Sequence, residues 1–317
     1  MMYPILFMDQ EEWYREGQTC RLLVEAAGFL FFYMALMLRK GRCRIMERSR
    51  VIEYYSRFDE WGRLDREPLE FIINMHYIRE SLPATGLVLD NGAGPGKYAM
   101  ELARLGYHVT LSDLTPASVD MAQQKAKELD LTQQFDSFHV LDATHLNGIA
   151  DETYDASLML GPLYHLQAEE ERVAAVRELH RVTKRGGTVF VAMQSRMRMG
   201  ITSLQFPQQW KPHDHMEAIR SFVEKGTFDH LDQGRFTGAY YFNIQDINPF
   251  MEQHGFETAN LIGSSSLRAM LTEEQQQYWK ERGEYDELIQ YMIEAAKDPS
   301  ILGISSHLLY IGKKKSS

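Results

Sequence analysis

The stretch Leu87–Ala126 constrains the fold more tightly than any other part of the chain. It reads LVLDNGAGPGKYAMELARLGYHVTLSDLTPASVDMAQQKA. An apolar run ends in Asp90 and leads into glycines at 92, 94 and 96, a helical pattern from Lys97, a second apolar run and a second acid, Asp113. Strand, tight loop, helix and strand in this order make a repeating unit of a parallel sheet, with the helix as the crossover. Glycine suits the loop because, without a Cβ, its backbone can turn tightly and let a ligand approach. In open sheets of this kind ligands lie beyond the C-terminal strand ends, beside the first strand.

Two ligand classes compete for such a loop, dinucleotides and S-adenosylmethionine (SAM). The dinucleotide pattern G-x-G-x-x-G seats a pyrophosphate on the helix N-terminus. Here Gly92, Gly94 and Gly96 give G-x-G-x-G, and Lys97 stands where the third dinucleotide glycine would fall. Asp90, directly before the loop, would repel a pyrophosphate but suits a ligand carrying an ammonium and a sulfonium. Asp113 closes the run HVTLSD, where a carboxylate can accept from both ribose hydroxyls. The residues favour SAM; without the two acids, a tight turn with a capping acid would explain the loop equally well.

These residues carry a resemblance. LDNGAGPG with SDLTP is similar to the first two motifs of class I SAM-dependent methyltransferases. DATHL (Asp142–Leu146), YDASLMLGPLYHL (Tyr154–Leu166) and LHRVTKRGGTVFVA (Leu179–Ala192) are similar to the later motifs of that family, and GPLYHL resembles its type-11, UbiE-like small-molecule branch. The resemblance implies a SAM cofactor, with Asp90 and Gly92 at its methionine end, Gly94 along the adenosine path, Gly96 among the cofactor-binding glycines and Asp113 on the ribose. It places Leu114 on the adenine face, Asp142 on the adenine amino group with Ala143 as backbone donor, and Leu160 on the cofactor side. Asp142 also reads as a plain turn acid. Tyr54, Tyr55 and Arg63 are candidates to meet the methionyl carboxylate, with ordinary aromatic packing as the other reading of the tyrosines.

The wider pattern is α/β. Helical spacing over Arg50–Leu64 and Glu67–Glu80 precedes strand Gly86–Asp90. Helix 97–105, strand 108–113, helix 116–129, strands 136–140 and 154–160, helix 168–183 and strand 188–193 then alternate. That alternation predicts a doubly wound, Rossmann-like, mostly parallel sheet with helices on both faces, seven-stranded by resemblance. Gln194–Phe242 lacks the alternation and is expected to be a cap inserted after strand five. Helix 246–254, strand 257–263, a helical stretch 272–297 and a last strand 306–312 complete the chain; the resemblance makes the last strand antiparallel.

The chain has 317 residues, 44% apolar and 25% charged, with a formal net charge of −10. That balance argues against a broad phosphate-neutralising surface, so a nucleic-acid partner is not expected and a small-molecule acceptor is. The cysteines, Cys20 and Cys43, both precede the alternating region, which leaves that region without thiol chemistry or Cys-based metal sites. Residues 1–45 read as an extension to a domain at 46–317. Within it, Leu22–Leu38 is apolar with one charge and is followed by RKGRCR. It reads as a dispensable extension ahead of a start at Met46, as a packed or interfacial helix, or as a short membrane anchor. The basic flank would leave the rest of the chain in the cytoplasm, the expected location in any case.

At Leu160–His165 the run Gly161-Pro162-Leu163-Tyr164 stands where amino-group methyltransferases carry Asn or Asp followed by Pro-Pro-Tyr, so the usual acceptor for an exocyclic amine is missing. His165, with Tyr164 beside it, is a candidate general base, because imidazole titrates near neutral pH; local hydrogen bonding that shapes the pocket is the other reading. Tyr240, Tyr241 and Phe242 suggest an aromatic wall on the substrate pocket. His213, Asp214 and His215 form an H-D-H cluster, with His230 nearby. It reads as a substrate-contacting or exposed loop rather than a metal site, because histidines two apart share a face only on a strand.

Overall fold

In a computed structural model, the described residues are 48–66, 68–230 and 238–316. The segment 22–38 and the start at Met46 lie outside them. The chain divides into two units, Met1–Val51 and Ile52–Ser317, and the second carries the sheet and its helices. Among the described residues no helix is long and apolar enough to cross a membrane.

Residues 48–55 are helical (α1), followed by α2 (Glu60–Arg66) and α3 (Pro68–Ser81). The single helix expected over Arg50–Leu64 is therefore broken. A turn intervenes, and Asp59 accepts from the Gly62 N–H at 2.8 Å, as a side chain capping a new helix does. Then come β1 (Leu87–Asn91), α4 (Lys97–Arg104), β2 (His108–Asp113), α5 (Pro116–Glu128), β3 (Phe135–Val140) and β4 (Tyr154–Met159). The four-residue α6 (Pro162–His165), α7 (Glu169–Val182) and the long β5 (Thr183–Ser195) come next.

Beyond β5 lie α8 (Arg196–Gln205), α9 (Met216–Lys225), β6 (Thr227–Phe228), β7 (Ala239–Phe242), α10 (Ile244–Gln253) and β8 (Phe256–Gly263). The last elements are α11 (Glu273–Glu281), α12 (Tyr285–Ala295), α13 (Pro299–Leu302) and β9 (His307–Lys314). The helical stretch expected over 272–297 is thus two helices. A capping box of Thr272 and Gln275 starts α11, and Gly283, at φ +72°, comes just after its end.

Among the described residues the sheet has nine strands where seven were expected. Seven run in the order β3-β2-β1-β4-β5-β9-β8, parallel from β3 to β5, with β9 inserted antiparallel between β5 and β8. The extra two are an antiparallel hairpin, β6–β7, joined to the sheet where β7 pairs with Gln194 and Ser195 of β5. Gln194 also pairs with His307 of β9. A strand has only two edges, so β7 occupies the β4 side of β5, above the point where β4 has ended. The described residues between β5 and α10 thus form helices and strands, and β7 is part of the sheet.

Apolar side chains alternate across the buried strands, as two-sided burial requires. One layer collects Ile73, Ile78, Met100, Leu102 and Met292 from α3, α4 and α12 with Leu111 and Phe190. The other gathers Val176, Leu179, Ile247 and Met251 from α7 and α10 with Val189 and Val191. Phe190 is fully buried on the central β5, so Phe190→Ala leaves a cavity that flanking strands cannot collapse into. The expected loss is about 3–5 kcal/mol, read as a lowered urea midpoint with an unchanged slope.

Candidate active site

The C-terminal ends of β1, β2, β4 and β5 and the start of β9 meet at one edge of the sheet, and the glycine loop crosses it. Its backbone is tied to β2. The N–H groups of Gly92 and Ala93 donate to the Ser112 carbonyl at 2.7 and 3.1 Å, and the Gly94 N–H donates to Asp113 Oδ2 at 2.8 Å. Gly92 is required twice over: its φ is +72°, and a Cβ there would run into the Pro162 ring of α6. A Cβ on Gly96, at φ +84°, would lie 2.7 Å from Leu111 Cδ1, so the first turn of α4 could not seat against β2.

Asp90 is the last residue but one of β1, just before this loop, and is 2% exposed. Burial pushes its carboxyl up to about 7, only partly offset by a hydrogen bond from the Ala99 backbone, in the first turn of α4. Its Oδ2 is buried without a hydrogen-bond partner. Such an acceptor is costly unless a ligand supplies the donor. Half-buried Asp113 accepts from the Gly94 and Thr115 N–H groups, both at 2.8 Å, so it fixes the loop as well as facing the crevice. Burial raises its carboxyl too, against those two bonds. Leu114 comes next, half-buried. Asp142 Oδ1 accepts from the Thr144 N–H at 2.9 Å and hydroxyl at 2.7 Å, so it does shape a turn, with buried Ala143 inside that turn. Leu160 packs against the α3–α4 layer of the core.

Four further groups crowd the same edge. Tyr55 Oη and His165 Nε2 are 2.9 Å apart, although 110 residues separate them in sequence. Burial lowers the His165 ring to about 4. A neutral imidazole so far below neutrality is a weak proton acceptor, so the structure favours the pocket-shaping reading over the general base. Tyr164 stacks obliquely on His165, ring centroids 5.0 Å apart, and burial raises its hydroxyl well above the usual phenol range, which keeps it protonated. Arg63 is already committed: its guanidinium pairs with Glu60 at 2.6 Å and Glu70 at 3.4 Å. Burial alone would lower its pKa, but Glu70 and Glu60 outweigh that and hold it charged.

The remaining candidates divide. Strand alternation sends Tyr240 and Tyr241 to opposite faces of β7, so they cannot wall one pocket together. Tyr240 lies under the Arg172 guanidinium, 3.5 Å from its ring centroid, while buried Tyr241 packs edge-on against Phe222. The H-D-H run divides likewise. His213 is 2% exposed, hydrogen-bonds Ser203 Oγ at 2.7 Å and packs on Phe222 and Phe228; burial lowers its ring to about 4. His215 is exposed and pairs with Asp214. His213 is therefore a core residue of the segment after β5 rather than a substrate contact.

Sequence reasoning missed Asn91, Glu70, His307 and Gln194. Asn91 Nδ2 is buried without a partner beside the loop, and Gln194 Oε1 is likewise at the end of β5. His307 Nδ1 lies 3.4 Å from Glu70 Oε2. A glutamate within the apolar helix α3 was the one available signal.

A parallel sheet with a glycine loop and acids closing its first two strands defines a nucleoside-cofactor domain of the Rossmann-like class. Residues 89–191 match a family model described as a methyltransferase domain. The chain is 31% identical over 118 residues to a tRNA (carboxymethyluridine(34)-5-O)-methyltransferase of Arabidopsis thaliana, covering 36% of this chain and 25% of that one. It is 28% identical over 153 residues to a ubiquinone biosynthesis O-methyltransferase of Xanthomonas oryzae, covering 47% of this chain and 62% of that one. The chain thus spans between a quarter and under two thirds of the length of these two relatives. A solved SAM-dependent methyltransferase from Methanosarcina mazei superposes with a TM-score of 0.51 at 19% identity, over 76% of this chain and 98% of that one.

The similarity supports a class I SAM-dependent methyltransferase domain of the UbiE-like type in the region of residues 89–191, with SAM as its cofactor. The residues present fit it. The loop leaves room for a ligand close to backbone, and the partnerless Asp90 oxygen awaits a donor such as an ammonium. Below about 7 the Asp90 carboxyl holds a proton that must leave before it can face a cation. SAM affinity is therefore expected to rise with pH up to about 7 and flatten above it, with proton release on binding at the acid end. Calorimetry between about pH 5.5 and 8 checks this; Asp90→Asn should bind more weakly and without the pH dependence.

Proposed function

We propose that the protein transfers a methyl group from SAM to a small-molecule acceptor. The single observation that carries the cofactor side is the buried, partnerless carboxylate oxygen of Asp90 beneath the glycine loop. When bound, SAM supplies a methyl group already activated on a sulfonium. The chain's own residues then have to bind, align and exclude water. Asp90 holds the ammonium, Asp113 accepts from the ribose hydroxyls while keeping the loop in place, and Asp142 and Ala143 meet the adenine edge. Tyr164 and His165, both neutral at pH 7, border the transfer point and orient the acceptor without removing a proton from it.

We assign the domain to residues 46–317, with residues 1–45 as an extension and 194–242 as a cap over the acceptor side. The pairing of β7 with β5 supports the cap, since it puts this segment beyond the end of β4, on the side where ligands of such sheets lie. A small acceptor is supported by the acidic balance, −10 overall, and by Gly161-Pro162-Leu163-Tyr164 in place of an amine-binding motif. A second reading, RNA methylation, is favoured by the tRNA-modifying relative.

Calorimetry with SAM, S-adenosylhomocysteine and NAD tests the cofactor. SAM and S-adenosylhomocysteine are expected to bind and NAD is not. Asp113→Ala should weaken SAM by roughly tenfold to a hundredfold, the loss of one or two hydrogen bonds together with the Gly94 anchor. No binding, or binding unchanged in that variant, overturns the assignment. An S-adenosylhomocysteine-release screen of a metabolite library against bulk tRNA then separates the two acceptor classes.

A further inference from the structure

Strand alternation puts three polar side chains on one face of the sheet. Val88, Phe190 and Leu309 pack in the layer that holds α3 and α4, and side chains two apart along a strand share a face. Asp90 of β1, Gln194 of β5 and His307 of β9 therefore face that layer too. Asp90 pairs with Leu158, and Leu158 with Phe190, so Gln194 stands four residues above the level of Asp90, about 13 Å along the strand. That height lies beyond the end of β1, where ligands of such sheets sit. Tyr164 spans the interval. A Cβ on Gly161 would lie 3.5 Å from the Gly92 carbonyl oxygen and 3.9 Å from Tyr164 Oη, and the Tyr164 and His307 ring centroids are 6.0 Å apart.

Three side chains here fix one another's polarity. Glu70 Oε2 lies 3.4 Å from His307 Nδ1 and 3.4 Å from Arg63 Nη1. Burial alone would raise the Glu70 carboxyl, but His307 and Arg63 outweigh it and hold it below the usual carboxylate range. A carboxylate can only accept, so His307 Nδ1 carries the ring hydrogen. On the other side of the ring, Gln194 Nε2 lies 3.4 Å from His307 Nε2. An amide nitrogen can only donate, so that ring nitrogen is bare, and one tautomer satisfies both neighbours. The Gln194 nitrogen is thereby committed to His307, which leaves Oε1 for other use. That oxygen is buried without a hydrogen-bond partner among the described residues, on a residue 9% exposed. Such an acceptor is costly until a ligand supplies a donor.

We infer that Glu70, His307 and Gln194 form a relay that selects the methyl acceptor: Gln194 Oε1 takes a hydrogen bond from a hydroxyl of an uncharged molecule. Glu70 and His307 are positioning residues that keep the oxygen of the carboxamide, not its nitrogen, turned to that hydroxyl. The inference deepens the methyl-transfer reading and rests on it for what occupies the Asp90 end. An ether or a carboxylate has no hydrogen to offer, so the buried oxygen would stay unpaired. A carboxylate also meets the like charge of Glu70. A hydroxyl brings one hydrogen for one oxygen, whereas an amino group brings two and would bury one unmatched. The relay orients the acceptor and takes no proton from it.

Two measurements test it. Fluorescence titration of the full chain in excess S-adenosylhomocysteine compares 2-naphthol, 2-methoxynaphthalene and 2-naphthoate. The naphthol should bind about tenfold more tightly than either of the others, the difference of one buried hydrogen bond. Gln194→Leu should weaken the naphthol by about tenfold and leave the ether within about twofold. In Glu70→Gln a carboxamide can donate to Nδ1, which moves the ring hydrogen to Nε2 and turns the Gln194 carboxamide over. The preference should then reverse in favour of the ether and the carboxylate. A native protein with no preference for the naphthol, absence of binding to all three included, overturns the relay. So does a preference that survives Gln194→Leu or stands unchanged in Glu70→Gln.

Nitrogen NMR of the histidine rings in the ligand-free full chain supplies the second reading, independent of SAM binding and of whether Glu70→Gln folds. The ring whose signals vanish in His307→Gln should carry hydrogen on Nδ1 and have a bare Nε2. Hydrogen on Nε2 overturns the relay. A native protein that binds neither SAM nor S-adenosylhomocysteine would sink the methyltransferase reading while leaving this ring test intact.

Discussion

The site depends on a carboxylate placed where water cannot reach it. Asp90 is at the end of a strand buried on both faces, with Oδ2 facing no donor. Folding alone gives that oxygen no hydrogen bond to offset its desolvation. Its neighbours can be understood as the scaffold that keeps it there. The paired N–H groups of Gly92 and Ala93 on Ser112, the Gly94 bond to Asp113 and the Gly96 start of α4 hold the loop above it in one conformation. A ligand bearing an ammonium recovers the desolvation energy, so binding and local stability are linked through one oxygen.

The electrostatics beyond Asp90 are arranged to stay quiet. Arg63 is matched by Glu60 and Glu70, and Glu70 in turn faces His307. Burial drives Tyr55, Tyr164 and His165 toward their neutral forms. Such surroundings do not compete for protons with a reacting centre, and they suit a displacement whose leaving group arrives already activated. The polar side chains at this edge therefore serve mainly to orient, and their hydrogen bonds to distant segments are worth more than their basicity.

Much of the fold was legible because its signals are local. Strand His108–Asp113 agrees to the residue, and β1, β3, β4 and the helices between them differ by a residue or two, because apolar period and glycine punctuation lie within each segment. The helix breaks near Asp59 and Gly283 were missed because apolar spacing continues across them. The hairpin β6–β7 was missed for another reason: strands of two and four residues carry too little period to detect. At the site, Asp90, the glycines and Asp113 were readable as a motif. The burial that neutralises His165 was not, since the Tyr55 side chain packed against its ring lies 110 residues away in sequence. The separation of Tyr240 from Tyr241 was readable in principle, because adjacent residues of any strand face opposite ways.

The antiparallel course of β9 has a practical consequence. It begins with His307 among the strand ends that form the crevice and runs to Lys314 beside Phe256, at the opposite end of the sheet. The chain beyond Lys314 therefore leaves the molecule on the side away from the glycine loop. A tether attached after Ser316 would present the crevice outward from a surface or resin, with the whole depth of the sheet as a spacer between the point of attachment and the site.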